Sequence, residues 1–106
     1  GICNVGIGRT AGYGITSGCW NIAIGDVALG TSTTVTGQSN IAIGQNSAED
    51  ITSGNYNVAI GRQAFRKATN NTDNVAIGRD AMGCTANDGN FNIIHFTIYI
   101  NQVLSF

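Results

Sequence analysis

The side chains able to do chemistry are few and scattered. His95 is the single histidine, and no nucleophile stands at a spacing from it that marks a nucleophile–base pair. It falls on the polar side of an alternating stretch, so it reads as structural. The six acids, Asp26, Glu49, Asp50, Asp73, Asp80 and Asp88, form neither a calcium loop nor an acid/base pair. Glu49-Asp50 could hold an ion weakly, but a solvated turn accounts for it better. The three cysteines, Cys3, Cys19 and Cys84, include no CxxC pair and make no metal signature with one histidine. Cys3 and Cys19 are 16 residues apart (19 − 3). They are a candidate disulfide suited to an oxidising compartment, or two buried thiols, and both readings stay open. Cys84 is left over, either free or paired between chains. The glycines precede no Gly-Lys-Ser/Thr and so make no phosphate loop.

Three further features are weaker. Arg62, Arg66, Lys67 and Arg79 could make a basic patch, but Asp73 and Asp80 nearby point to salt bridges on a solvated face. Asn70-Asn71-Thr72 is a candidate N-glycosylation sequon on Asn70. A threonine recurs as Thr16, Thr34 or Thr36, Thr52, Thr69 and Thr85. Threonines in turns explain this more simply than an ice-binding ladder would. These residues predict no enzyme, no metal and no cofactor.

The elements that position them come from composition and repetition. The 106-residue chain is 42% apolar and 10% charged, with no proline and a net charge of −1. That balance does not suit a disordered chain and gives no electrostatic footprint for nucleic acid. No apolar run approaches the ~20 residues of a membrane span. The chain opens at Gly1 rather than Met and reads as processed or partial.

The string Asn-apolar-Ala-Ile-Gly starts at Asn21, Asn40, Asn57 and Asn74, with a Gly6 variant from Asn4 to Gly8. Successive asparagines are 17, 19, 17 and 17 residues apart (21 − 4, 40 − 21, 57 − 40, 74 − 57). Gly8, Gly25, Gly44, Gly61 and Gly78 close each string as corners. Gly18, Gly37, Gly54, Asn71 and Gly89 stand three residues before the next unit's asparagine (Asn21, Asn40, Asn57, Asn74 and Asn92) and predict a second, positive-φ corner. Ala11, Ala28, Ser47, Ala64 and Ala81 mark a small position between them. Leu29, Ala48, Phe65 and Met82 follow it in four units. Each unit reads as strand, glycine corner, second short strand and turn. Period-two alternation and interrupting glycines exclude helices.

The predicted fold is all-β, a short-coil β-solenoid of about five 17-residue repeats plus a C-terminal strand. Coils stacked about 4.8 Å apart would bring Asn4, Asn21, Asn40, Asn57 and Asn74 into a ladder of amide hydrogen bonds. The Ile/Val face of each strand is expected to be buried and the alanine face open to close approach. So thin a body would gain from packing on copies of itself, as a trimer or a filament.

The Asn-x-Ala-Ile-Gly unit, over residues 4 to 89, resembles the head repeats of YadA-like trimeric autotransporter adhesins. It is similar also to the longer repeats of bacteriophage tail fibres. The resemblance implies a homotrimer of left-handed parallel β-rolls with a shared hydrophobic core, used for attachment to surfaces. It implies core ladder positions at Ile7, Ile24, Ile43, Ile60 and Ile77, and an extracellular or virion-surface location. The adhesin head repeats are a few residues shorter than these.

The expected boundary lies between a solenoid at 1–89 and a C-terminal segment at 90–106. Asn92-Ile93-Ile94 is placed like the start of a sixth unit, but Ile94, Phe96, Ile98 and Ile100 then alternate with polar residues as one longer strand. That strand is either a cap over the open coil or an intersubunit strand that joins copies into a filament. The expected function is an extracellular structural or adhesive fibre segment. Its partners would be itself and a cell-surface glycan or receptor. The alternatives are a self-polymerising filament subunit and an ice- or glycan-binding solenoid.

Overall fold

The computed structural model describes residues 1–30, 34–67 and 69–83, and residues 93–95 as a strand. Cys84, Thr85, Asp88, Gly89, Phe96, Ile98 and Ile100 lie outside the described residues, and for Ile94 and His95 the strand alone is described.

Each repeat string forms a three-residue strand: β1 (Val5–Ile7), β2 (Ile22–Ile24), β3 (Ile41–Ile43), β4 (Val58–Ile60), β5 (Val75–Ile77) and β6 (Ile93–His95). Branched residues favour the extended backbone, and the glycine after each of the first five strings ends the strand. The six strands form one parallel sheet in sequence order. Register is strict, with Ile22 opposite Ile41, Ala23 opposite Ala42 and Ile24 opposite Ile43. Each connection is therefore one full turn of an all-β solenoid, and the described residues include no helix. β6 pairs Ile93, Ile94 and His95 with Val75, Ala76 and Ile77, so the sheet continues into the segment expected to break the pattern.

The two faces of the sheet are the reverse of the expected arrangement. Ala23, Ala42, Ala59 and Ala76 are fully buried inside the coil. Their isoleucine and valine neighbours point outward, half-buried from β2 to β4 and exposed at β1 and Ile77. The reason is volume. The opposite wall already sends Leu29, Val35, Ile51, Phe65 and Met82 into the bore, and only a methyl group fits between that wall and the strand. At Gly6, where alanine stands in later coils, even a methyl would meet the Ala11 carbonyl oxygen at 2.8 Å.

The segment after the first corner is not a second strand. It is a run of turns in which ordinary and left-handed residues alternate. The corner glycines Gly25, Gly44 and Gly61 have φ of 127°, 126° and 128°, a region closed to other residues. Two residues on, Val27, Asn46, Gln63 and Asp80 lie at φ of 56° to 61°. Two further, Leu29, Ala48, Phe65 and Met82 lie at 51° to 57°. The alternation points successive amides up and down the axis. Val27 N–H donates back to Arg9 (2.9 Å), and Leu29 N–H donates forward to Ser47 (3.1 Å). Phe65 likewise donates forward to Ala81 at 2.8 Å. Bonds between coils thus sustain a backbone that bulky residues would otherwise avoid.

The second corner also differs from expectation. Gly18, Gly37, Gly54 and Asn71 are not left-handed; the left-handed residues come two later, at Trp20, Ser39, Tyr56 and Asp73, with φ of 57° to 62°. Glycine is favoured at 18, 37 and 54 for a different reason. A Cβ on Gly18, Gly37 or Gly54 would collide with the carbonyl of its counterpart in the next coil. The two-residue excess of the second unit is three residues gained between Ala28 and Val35 (35 − 28 against 51 − 47) and one lost between Val35 and Gly37 (37 − 35 against 54 − 51). Val35 bridges to Ile15 in a parallel sense and is buried like Ile51.

Candidate functional surface

The asparagine ladder is the internal spine. Asn21 Oδ1 accepts from the Asn40 backbone N–H (2.9 Å) and from Asn40 Nδ2 (3.1 Å). Asn21 Nδ2 donates to Asn4 Oδ1 (3.3 Å) and to the Gly37 carbonyl (2.9 Å). The pattern repeats at Asn40 and Asn57, with donation to the carbonyls of Gly54 and Asn71 at 2.8 Å and 2.7 Å. At the last described step, Asn74 N–H and Nδ2 donate to Asn57 Oδ1. From Asn21 to Asn74 the side chains are at most 1% exposed, so these bonds are made away from water.

The outer surface carries four distinct features. The first is the sheet face. Val5, Ile22, Ile41, Val58 and Val75 form one column, and Ile7, Ile24, Ile43, Ile60 and Ile77 form the other. Ten branched aliphatic side chains thus lie together on the outside of a parallel sheet, a type of sheet that proteins ordinarily cover on both faces.

The second feature is the corner column just before each asparagine: Cys3, Trp20, Ser39, Tyr56 and Asp73. Trp20 is 55% exposed and Tyr56 52%. Each corner amide from Trp20 onward donates to the preceding coil: Trp20 to Ile2, Ser39 to Cys19, Tyr56 to Gln38 and Asp73 to Asn55, at 2.9–3.1 Å. Gln38 Nε2 also donates to the Tyr56 hydroxyl at 3.4 Å.

The third feature is the threonine rank, where the structure selects Thr36 as the counterpart of Thr16, Thr52 and Thr69, since Thr36 and Thr52 donate N–H successively along it. The Thr52 hydroxyl turns onto the next coil's Thr69 carbonyl at 3.2 Å, and Thr16 turns likewise onto Val35 at 3.4 Å.

The fourth is a charged edge after the first corner. Arg9 pairs with Asp26 at 2.8 Å. The Asp26 carboxylate accepts a hydrogen bond from Arg9 and lies close enough to attract it, which holds the guanidinium above its ordinary pKa. Arg66 pairs with Glu49 at 3.0 Å, and Glu49 also accepts from Asn46 Nδ2 at 2.9 Å. The Glu49-Asp50 pair considered for ion binding therefore has its glutamate engaged by a cation. Arg62 Nε donates to Gln45 at 3.2 Å, and Arg79 lies 3.9 Å from Asp80.

Cys3 and Cys19 are free thiols. Sixteen residues apart in a 17-residue coil, they fall in adjacent columns rather than one: Trp20 is the counterpart of Cys3, and Cys19 donates its thiol to the Ser17 carbonyl. Asn70 of the sequon is exposed at the turn. Among the described residues, no three His, Cys, Asp or Glu side chains come together as a metal-holding group, and no helix is long and apolar enough to cross a membrane.

Sequence reasoning passed over Trp20 and Tyr56, although a signal was present. Counting back one residue from each ladder asparagine places them in the same column. No family model, no characterised protein and no solved structure matches this chain.

Proposed function

We propose that this chain is a segment of an extracellular structural or adhesive fibre, in which copies pack through the outward Ile/Val face of the sheet. One observation carries this reading. The side chains that would make a core in an ordinary protein lie outside the coil, in two straight columns from β1 to β5. Covering them would remove ten branched aliphatic groups from water, at about 25 cal/mol per Å² of apolar surface. The resemblance to trimeric adhesin heads and tail fibres supports three copies as the closed arrangement, and it supports attachment as the role. The filament alternative is disfavoured at its first residues, because Ile94 is already paired within its own chain through β6.

The test is the absolute mass of the purified chain by light scattering. The monomer is 11.0 kDa, so three chains give 3 × 11.0 = 33.0 kDa. A species at that mass is the expected result. A polydisperse mass far above it would replace the trimer with the filament. A clean monomer would overturn self-assembly altogether.

A further inference from the structure

We infer that Trp20 and Tyr56 form a stacking platform for an uncharged, extended β-1,4-linked hexopyranose chain lying along the solenoid axis. The inference deepens the adhesive half of the fibre reading and rests on it, because it supplies the class of surface the fibre would grip.

The two rings occupy equivalent backbone positions, at φ of 57° and 58°. The residue between them in the column is Ser39, so their separation is two coil spacings, about 9.6 Å from the ~4.8 Å between neighbouring strands. Strict register in β2 to β4 fixes that distance. Both rings are more than half exposed and, among the described residues, their side chains have no hydrogen-bond partner beyond the Gln38 bond to the Tyr56 hydroxyl. That bond leaves the ring accessible while restraining where it can lie.

A pyranose ring has a face of C–H groups with partial positive charge, and it seats on the negative face of an aromatic ring. In an extended β-1,4 chain each sugar is inverted relative to the last, so the same face returns at every second ring. One sugar spans close to one coil spacing. Alternate sugars then meet Trp20 and Tyr56, while the intervening sugar passes over Ser39. The hydroxyl of Ser39 and the amides of Gln38 and Asn55 in the adjoining column offer hydrogen bonds to sugar hydroxyls. From Cys3 to Tyr56 the column carries no charged side chain, which suits a neutral glycan over an acidic one. An α-1,4 chain curves away and cannot meet both rings.

Trp20 is the single tryptophan, so its fluorescence reports on the platform directly. The probes are the β-1,4 hexamers of glucose and of N-acetylglucosamine, with the α-1,4 glucose hexamer as control. Titration is followed by fluorescence and calorimetry, and the mass of every sample is measured by light scattering. The expected result is a shift of Trp20 emission with at least one β-1,4 hexamer and none with the α-1,4 hexamer. Tyr56→Ala should weaken binding about tenfold at unchanged mass, and the corresponding disaccharide should bind at least as weakly as that variant. Tyr13→Ala, exposed but outside the column, should bind like the parent.

Absence of any shift with both β-1,4 hexamers at intact mass would overturn the inference and leave the fibre reading standing. Loss of the assembled mass in Trp20→Ala or Tyr56→Ala would also overturn it, by making the rings contacts between copies. Binding by an 11.0 kDa monomer would uphold it and sink the assembly proposal instead.

Discussion

Asn40 shows how much one residue can carry in a solenoid. Its side chain accepts from Asn57 twice and donates to Asn21 and Gly54, all without water. Asn40→Ala leaves several buried groups unpaired, each costing about 1–3 kcal/mol, so a loss of about 3–5 kcal/mol is expected in urea unfolding. Asn4→Ala at the half-buried first rung should cost about 1 kcal/mol, because water can replace the amide there. Equal effects at both positions would deny the ladder its dependence on burial. Val27 presents the opposite case. It is β-branched at φ 61°, where a side chain of its kind costs about 1–2 kcal/mol, while its counterpart in the next coil is Asn46. Val27→Asn should therefore stabilise by about 1 kcal/mol and raise the melting temperature by a few degrees. A lower melting temperature would mean that packing of the half-buried valine outweighs its strain.

Among the elements, the first corner governs whether a rung forms. Gly44 lies at φ 126°, and a Cβ there would come within 2.7 Å of the Gly61 carbonyl carbon. Strain and collision together predict a cost of about 3 kcal/mol or more for Gly44→Ala, read as a lowered thermal transition by circular dichroism. An unchanged transition would show that the corner can re-form around a methyl group. This corner was legible in the sequence because only glycine satisfies it. The inward and outward faces were not. Alternation in Ile-Ala-Ile says that two faces differ, and the usual preference for burying the larger residue chose the wrong one for the interior of a single coil. The preference fails because Phe65, Leu29 and Ile51 enter from the opposite wall and leave room for alanine alone. The left-handed backbone at Leu29 and Phe65 was equally hidden, since intrinsic preference argues against it and only the bonds to neighbouring coils sustain it. The asparagine ladder could be read because repetition itself was the signal. The Trp20–Tyr56 column carried the same signal, one residue before each ladder asparagine, but Ser39 and Asp73 interrupt its character and mask it.

For the whole molecule, the outward aliphatic face decides whether the rod stands alone. Ile24 and Ile60 belong to its central rungs and do not fill the bore, so replacing them leaves the alanine interior untouched. Ile24→Lys with Ile60→Lys should reduce any assembled mass to the 11.0 kDa monomer while the β-type circular dichroism persists, since a buried unpaired ammonium at an interface is strongly unfavourable. Retention of the assembled mass would locate the contact on another face. Loss of the β signal would mean that the solenoid folds only when its sheet is covered, which ties stability to concentration.

The asparagine spine also gives the rod an electrical direction. In the parallel sheet the backbone bonds alternate, Val5 donating forward to Asn21 and Gly25 donating back to Ile7, so their dipoles largely cancel. The side-chain amides do not alternate: from Asn4 to Asn57 every Oδ1 receives its bonds from the following coil. Their moments therefore add head to tail, with each amide polarising the next, and the negative end faces the C-terminal coils. End-to-end stacking of rods would extend this chain of aligned moments. Rods laid side by side in the same sense would have to work against it, so the contact between their aliphatic faces must be strong enough to overcome that repulsion.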